Sequence, residues 1–292
     1  MKTSIIIPNY NMFDTLKYCI DSICNQNLTK EQFKSIEVIV VDDGSDVKGL
    51  DMLYEIYKNA IESKGMMFNL VRSYKNKGRA YARNLGASVS SGEILVFIDA
   101  DIVLHSTYLK ETIVRHQFLD KIVLVGFKEN ISIKDPLLSK LSPKIRKPNI
   151  YKDFRFNKYV SKDWIGLYPV KTERTINCVK ESNYFKDFGM GRVIGPFDLP
   201  CMVVSHNLSL KRKEFEKIGG FEVRFSKRWG FEDTYLGARL IANENYVIPL
   251  LSTGVFHIEV IDEESSGLKA KKYSDMKYNF KLYKNLIKKK CL

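Results

Sequence analysis

The stretch Ile94-Leu-Val-Phe-Ile-Asp-Ala-Asp101 decides how the rest of the sequence is interpreted. Five consecutive apolar residues predict a strand that is buried on both faces, as in a parallel sheet. The strand ends at Asp99 and Asp101, and side chains at the carboxyl end of such a strand face a ligand crevice. Two close acids repel each other unless a cation lies between them, and carboxylates suit Mg²⁺ or Mn²⁺. The stretch therefore indicates a metal–diphosphate site, with a solvated turn as the alternative.

Strand and helix patterns alternate along the first half of the chain. Strands are predicted at 4–8, 37–41 and 67–71, and the segments between them carry apolar residues at helical spacing. This alternation predicts a parallel sheet with right-handed crossovers. Because parallel strands end at one edge of a sheet, we expect the polar clusters that follow three of the strands to converge there. These clusters are 9–11, 42–45 and 99–101.

The second half of the chain is less regular. The alternation fails between 127 and 200, which we interpret as either an acceptor-recognition insertion or a loop. Short strands are predicted at 122–125 and 255–258, and a helix is predicted from about 229 to 244.

The net charge of +13 is concentrated at the C-terminus, where residues 269–292 hold nine Lys and one Asp. Apolar residues at helical spacing form one stripe along this segment. Such a stripe either packs on its own domain or lies on an anionic membrane, and the sequence leaves both interpretations open. Nucleic-acid binding would depend on these lysines alone, so we expect none. The stripe consists of Tyr273, Met276, Phe280, Tyr283 and Ile287.

Three further observations bear on location. No stretch approaches the ~18 apolar residues of a membrane span, and the first residues lack the pattern of a signal peptide. The five cysteines show no C-x-x-C spacing, which favours a reducing compartment. We therefore expect a cytoplasmic protein, with 269–292 as a candidate for peripheral contact with the inner face of a membrane.

Four segments of the first hundred residues resemble the family 2 glycosyltransferases, which have the GT-A fold. They are Ser4–Asn11, Glu37–Ser45, Asn76–Asn84 and Gly92–Asp101. In the second half, Gly219-Gly-Phe221 and Trp229-Gly-Phe-Glu-Asp233 are similar to β-1,4-galactosyltransferases and bacterial chondroitin polymerase domains. The resemblance implies an α/β GT-A fold with a mostly parallel nucleotide-binding sheet flanked by helices. It also implies three parts: a nucleotide-sugar-binding half at 1–126, an acceptor-binding and catalytic-base half at 127–262, and a basic amphipathic helix at 263–292.

The resemblance further implies a metal-dependent, inverting glycosyltransferase that uses Mn²⁺ or Mg²⁺. Such an enzyme would move a hexose or N-acetylhexosamine from a UDP-sugar to a hydroxyl of a glycan, a lipid-linked or a peptide acceptor. Its place would be in surface glycan or glycoconjugate synthesis.

Site roles follow from the resemblance by position in the matching motifs. It implies that the nucleotide is bound by Pro8, Tyr10, Asp42, Asp43, Arg83 and Asp99. It implies that the metal is bound by Asp101, His257 and Asp99, although a core histidine is an alternative for His257. It implies that Asp233 is the catalytic base, that Glu232 holds the acceptor, and that the sugar or acceptor is bound by Trp229, Gly230 and Asn207.

The chemistry of sugar transfer agrees with this set of residue types. A divalent cation stabilises the charge that develops on a diphosphate leaving group. One carboxylate within hydrogen-bond reach of the acceptor hydroxyl can then serve as the base. Glycosidases differ because they also have to protonate a poor leaving group, and so need two working carboxylates.

Two other functions are compatible with the sequence. A nucleotidyltransferase also combines a nucleotide-binding sheet with acidic metal ligands, but a Gly-rich basic loop is expected after its first strand, where this chain has Asn9-Tyr-Asn11. A non-catalytic module that binds nucleotide sugars is the second alternative. The fingerprints of dinucleotide-binding and P-loop proteins are absent from the expected positions.

Overall fold

The structure is a computed structural model that describes residues 1–46, 50–142, 144–153, 155, 199–259 and 266–290. Within these ranges the strands are β1 (Thr3–Asn9), β2 (Ile36–Asp42), β3 (Met67–Arg72), β4 (Ile94–Ile98), β5 (Ile102–Leu104), β6 (Ile122–Ser132), β7 (Asn207–Lys211) and β8 (Tyr246–Glu259). The helices are α1 (Phe13–Cys24), α2 (Lys30–Lys34), α3 (Leu50–Glu62), α4 (Arg79–Val89), α5 (Tyr108–Phe118), α6 (Arg212–Lys217), α7 (Glu232–Ala242) and α8 (Ser266–Lys290). Most of the segment 127–200, for which the sequence leaves an acceptor-recognition insertion and a loop as alternatives, lies outside the described residues.

The described strands form one mixed sheet in the order β3-β2-β1-β4-β7-β6-β8-β5. The first four strands in this order pair in parallel, as the alternation predicted. β7 is antiparallel to both of its neighbours, β8 runs parallel to β6, and β5 is antiparallel to β8. The α/β fold with a mostly parallel sheet is therefore confirmed.

Both faces of the parallel part are covered, which explains its continuous apolar runs. In β1, Ile5 and Ile7 pack on the side of α1 and α3. Ile6 points to the opposite side, where α4 and α7 contribute to a second apolar cluster. Gly86 of α4 lies so close to β1 that a Cβ would come within 2.5 Å of the Ile6 Cγ2 atom.

Four features of the fold differ from the sequence prediction. β6 continues to Ser132 and β8 begins at Tyr246, because the two strands pair along most of their length around a bulge between Gly126 and Lys128. Polar residues such as Glu129 obscured the apolar pattern there. The short elements β5 and α2 were not predicted; α2 is fixed by a local capping box between Thr29 and Gln32.

The predicted boundary at 126 falls inside β6, and β4 pairs directly with β7 of the second half. One sheet therefore joins both predicted halves. The division of roles among 1–126, 127–262 and 263–292 stays a prediction.

The C-terminal helix α8 packs on its own chain through part of the apolar stripe. Tyr283 and Leu286 are buried against Phe225 and Tyr235. Tyr273 remains 61% exposed at the other end of the stripe. None of the described helices is long and apolar enough to cross a membrane, and contact of 269–292 with an anionic membrane stays a prediction.

Candidate active site

A pocket of about 460 Å³ opens at the carboxyl ends of β1, β2 and β4. The three polar clusters predicted to converge all contribute to its wall. The residues that they supply are Asn9, Tyr10, Asp43, Asp99, Ala100 and Asp101, and Pro8 of β1 adjoins them in the wall.

Asp43 lies at the base of this wall and joins β2 to the start of α4. Its carboxylate accepts hydrogen bonds from the backbone amides of Lys77, at 3.0 Å, and Gly78, at 2.7 Å. Burial raises the pKa of Asp43, and the two amide bonds oppose that rise. Gly78 has φ +91°, and a Cβ there would lie 2.5 Å from the Ser226 carbonyl oxygen. A glycine is therefore required where the α4 turn meets the segment before Trp229.

Arg83 connects the strand-end acids to the acids of the second half. Its buried guanidinium binds the Asp99 carboxylate through Nη2 at 2.6 Å. Its Nη1 atom lies 3.9 Å from Glu232 and 4.0 Å from Asp233. Burial alone would raise the pKa of Asp99, but the ion pair with Arg83 holds this pKa below its usual range. One cation thus lies near three carboxylates, one at the end of β4 and two that are adjacent in α7.

Glu232 and Asp233 form the first turn of α7, where acids interact favourably with the helix dipole. Glu232 is buried, and burial together with the neighbouring charge of Asp233 raises its pKa to about 7. Arg79, whose Nε atom lies 3.4 Å from Glu232, opposes that rise. Glu232 is therefore partly protonated at neutral pH, and the neighbouring Asp233 is less buried.

Asp101 and His257 are brought together by the antiparallel pairing of β5 with β8. The His257 Nε2 atom lies 3.4 Å from Asp101 Oδ2, and Asp101 Oδ1 is buried without a hydrogen-bond partner. No cluster of three or more His, Cys, Asp or Glu side chains that could hold a metal occurs in the part of the chain that the structure describes. A divalent ion bound here would need ligands from the substrate, as Mg²⁺ commonly takes from phosphates. The unpartnered oxygen and the imidazole fit such an ion.

Six predicted site residues are not part of the pocket wall: Asp42, Asn207, Gly230, Glu232, Asp233 and His257. Four of them adjoin it, because Glu232 and Asp233 lie near Arg83, His257 lies near Asp101, and Gly230 follows Trp229. The other two are used elsewhere in the fold. Asp42 is buried beside β2, where it accepts a hydrogen bond from the Ser45 amide and lies 3.5 Å from Arg72. Asn207 is buried in the core, where its Oδ1 atom accepts a hydrogen bond from Tyr108 and its amide donates to the Phe127 carbonyl. The polar atoms of Asn207 are thus used by the fold, and the binding of sugar or acceptor by Asn207 stays a prediction.

Trp229 also lines the pocket and is 37% exposed. Gly230 follows it with φ +91°. Sequence analysis missed the cations Arg79 and Lys227 and two residues of α8 in the pocket wall, Lys271 and Asp275. Arg79 lies within the matching segment 76–84, which was a signal. No sequence pattern indicated Lys271 and Asp275, because the apolar stripe of that helix consists of other side chains.

His206 was also not assigned from sequence. Its ring centroid lies 6.1 Å from that of His257. Burial and the nearby cations Arg155 and Lys128 lower the pKa of His206 well below its usual value. A neutral imidazole therefore lies near His257, and it adds no positive charge to the site.

Comparison with known proteins identifies the family of the chain. The model of the glycosyl transferase family 2 matches residues 4–177, and the model described as the N-terminal domain of galactosyltransferase matches residues 203–257. The first match covers more than half of the chain. The chain therefore belongs to the family 2 glycosyl transferases, and the resemblance of the second half to galactosyltransferases is confirmed as well.

Curated relatives carry related names. The chain is 29% identical over 258 residues to an uncharacterised glycosyltransferase, YfnE, of Bacillus subtilis, which covers 82% of this chain and 60% of the relative. It is 36% identical over 109 residues to a poly(ribitol-phosphate) beta-glucosyltransferase of Bacillus spizizenii, which covers 37% of this chain and 16% of the relative. The chain thus spans less than two thirds of the length of these relatives.

Solved structures of glycosyltransferases share the fold. TarS of S. aureus in complex with UDP-GlcNAc superposes with a TM-score of 0.55 at 16% identity, covering 90% of this chain and 60% of that chain. GalNAc-T7 with UDP, GalNAc and Mn²⁺ superposes with a TM-score of 0.62 at 14% identity, covering 90% of this chain and 44% of that chain. These likenesses confirm the GT-A fold.

Proposed function

We propose that this chain is a metal-dependent, inverting glycosyltransferase. It would transfer a hexose or N-acetylhexosamine from a UDP-sugar to a hydroxyl of a glycan, a lipid-linked or a peptide acceptor. The observation that carries the proposal is the position of Arg83, which binds Asp99 at the strand end and lies 4.0 Å from Asp233. An acid of the donor pocket and the proposed base therefore both lie near the same guanidinium.

The donor half of the proposal depends on the strand-end wall. Tyr10 is 47% exposed at the pocket and offers a ring for stacking on uracil, with Pro8 beside it. Asp43 is available at the same edge to accept a hydrogen bond from the base. Lys227 and Lys271 line the pocket with no ion-pair partner among the described residues, and so can contact the diphosphate.

Asp101 and His257, with Asp99 beside them, would hold Mn²⁺ or Mg²⁺. When bound, the ion would supply positive charge to the diphosphate leaving group. The names of structural neighbours support this assignment, because GalNAc-T7 was crystallised with UDP and Mn²⁺.

The acceptor half of the proposal depends on Glu232 and Asp233. The Asp233 carboxylate would take the proton of the acceptor hydroxyl as the acceptor oxygen bonds to the anomeric carbon. The bond from that carbon to the diphosphate breaks, and its electron pair leaves with UDP. Attack from the face opposite the diphosphate inverts the anomeric configuration. Glu232, with a pKa of about 7, can donate a hydrogen bond that orients the acceptor.

A place in surface glycan or glycoconjugate synthesis is also part of the proposal. The name of the Bacillus spizizenii relative specifies a polymer, poly(ribitol-phosphate), which supports an acceptor of the glycoconjugate kind. The TarS complex contains UDP-GlcNAc, which supports a UDP-sugar donor.

A thermal-shift screen tests the donor proposal directly. UDP, UDP-glucose, UDP-galactose, UDP-GlcNAc and UDP-GalNAc are each compared in Mn²⁺ and in EDTA. A ligand that binds the folded state alone raises the melting temperature by mass action. We expect stabilisation by UDP and one UDP-sugar that is lost in EDTA. Stabilisation by a nucleoside triphosphate alone would favour a nucleotidyltransferase, and no stabilisation by any nucleotide would refute the donor site.

Variants then separate binding from chemistry. Asp101→Ala should lose the Mn²⁺-dependent part of the UDP shift, because it removes a proposed ligand. Asp233→Asn should keep the UDP shift and lower transfer by about 10²–10⁴-fold, the usual contribution of a general base. Asp120→Asn is the matched control, since Asp120 is exposed and its ion pairs with Lys211 and Lys213 lie outside the pocket. Active Asp233→Asn would point to a non-catalytic role for this residue.

A further inference from the structure

One face of α8 carries four residues at intervals of four: Lys271, Asp275, Asn279 and Tyr283. Residues at this spacing lie above one another on a helix. Lys271 and Asp275 line the donor pocket, while Tyr283 is buried against Phe231 and Tyr235. The row therefore runs from the pocket into the core, and Asn279 lies between its two ends.

Asn279 is fully buried, and its side chain binds the backbone on both sides of Trp229. The Nδ2 group donates to the Gly230 carbonyl at 2.7 Å and to the Arg228 carbonyl at 3.2 Å. Because both neighbours are carbonyl oxygens, only the NH₂ group of the amide can satisfy them. Asn279 thus holds the backbone of 228–230, which we call the Trp229 loop.

Asp275 adds two contacts to the same loop. Its Oδ2 atom accepts a long hydrogen bond, of 3.4 Å, from the Trp229 amide, and its Oδ1 atom lies 3.7 Å from the Arg228 guanidinium. Every described hydrogen bond that a side chain makes to the backbone of the Trp229 loop therefore comes from α8.

The loop needs such external support because it leads directly into a strained residue, Phe231. Gly230 and Phe231 adopt left-handed conformations in succession, with φ +91° and +71°. A non-glycine residue in this region persists only when its surroundings determine it. The Phe231 ring packs at centroid distances of 5.4 Å from Phe280 and 5.6 Å from Tyr283, so α8 supplies these surroundings as well.

We propose that Asn279 is a positioning residue for sugar transfer, which acts by fixing Trp229 in the pocket wall. The helix α8 is then a structural part of the active site, and the Trp229 ring depends on it for its place. Only the kinetic consequence rests on the proposed function. The position of Trp229 can be measured without any reaction.

Trp229 fluorescence provides the test. The chain has two tryptophans, so Trp164→Phe leaves Trp229 as the only tryptophan, which is excited selectively at wavelengths that tyrosine does not absorb. In that background, acrylamide quenching of Trp229 is compared between Asn279→Ala and Asn285→Ala. Asn285 is an exposed asparagine of the same helix and serves as the matched control. We expect stronger quenching for Asn279→Ala and no change for Asn285→Ala, with the UDP-induced thermal shift kept by both.

Acceptor kinetics of the same variants extend the test. Misplacement of a substrate-contacting group costs up to about a hundredfold in rate, so we expect Asn279→Ala to lower kcat/KM for the acceptor by roughly ten- to a hundredfold. KM for the UDP-sugar should change less, because the strand-end wall is intact. Asp275→Ala provides a second variant if Asn279→Ala does not fold, and should shift quenching in the same direction.

Two results would overturn the proposal. If Trp229 is quenched to the same extent in Asn279→Ala, Asp275→Ala and Asn285→Ala, then α8 does not fix the loop. A more exposed Trp229 with unchanged acceptor kinetics would show that its position does not matter for transfer. If the unaltered chain itself binds no nucleotide, the proposed function fails, and this result is distinct from either of the first two.

Discussion

Replacement of Arg83 by methionine removes the buried cation that links Asp99, Glu232 and Asp233. Methionine keeps a long side chain that can still pack on the Phe221 ring, 5.5 Å from the guanidinium carbon. What the variant loses is the hydrogen-bonded ion pair with Asp99 at 2.6 Å and the charge near the two α7 acids.

The expected cost follows from the burial of this pair. Removing one partner of a buried ion pair typically destabilises a protein by about 3–5 kcal/mol, because an uncompensated charge remains. Asp99 is only partly buried, so we take the lower end, about 3 kcal/mol. At about 2–4 °C per kcal/mol for a chain of a few hundred residues, the melting temperature should fall by roughly 6–12 °C.

The pH dependence has a defined sign. The folded-state pKa of Asp99 is depressed, so its contribution to stability is present above its unfolded pKa and lost as pH falls. The pKa of Glu232 is raised to about 7, so burial of this group becomes costly as pH rises towards neutrality. Arg83 offsets both charges at neutral pH. The difference between the variant and the unaltered chain should therefore be largest near pH 7.5 and smaller at pH 5.

Differential scanning fluorimetry at pH 5 and pH 7.5 measures this difference. Arg224→Met is the matched control, because Arg224 is exposed and pairs with Glu222 at the surface, where an ion pair is worth about 0–1 kcal/mol. A fall in melting temperature no larger than that of Arg224→Met would refute the reasoning. A difference that grows at pH 5 would contradict the assigned sign.

Two further predictions concern neighbouring residues. For the unaltered chain we expect the transfer rate to fall above about pH 7, as Glu232 ionises. The Gln side chain of Glu232→Gln cannot ionise, so this fall should flatten in the pH–rate profile of the variant. An unchanged profile would exclude Glu232 as the titrating group. Gly78→Ala places a Cβ 2.5 Å from the Ser226 carbonyl at φ +91° and should cost about 1–3 kcal/mol, measured by urea unfolding. Gly65→Ala is its control, since it has a similar φ of +87° but no atom closer than 3.6 Å to the added Cβ. Equal losses for both glycines would attribute the effect to backbone strain alone.

The sequence predicted the parts of the site that local pattern determines. Strand ends of a parallel sheet meet at one edge, so the strand pattern alone was enough to group Asp43, Asp99 and Asp101. The contact of Asn207 with the Tyr108 hydroxyl in the core was not predicted, because a polar residue beside a strand can point to either face. Asn279 was missed because its partners are backbone carbonyls about fifty residues earlier in the chain, which no periodicity reveals.

The same limit applied to the acids of α7. Their resemblance to a known motif predicted a catalytic role, but not the guanidinium that joins them to Asp99. The distance from the Arg83 guanidinium to the α7 acids depends on how α4 and α7 pack on the sheet. That packing is set by contacts between residues far apart in sequence.

The pairing of β4 with β7 has a consequence for recombination between family members. One way to combine the donor specificity of one enzyme with the acceptor specificity of another is a chimera that joins the first half of the one to the second half of the other. A junction at 126 would cut through β6, and any junction between β4 and β7 would require foreign strands to match along the register from Ile94 to Ile98. Exchange of single loops around the pocket, such as 226–230 together with the matching face of α8, preserves every strand pair and is the more promising route to altered specificity.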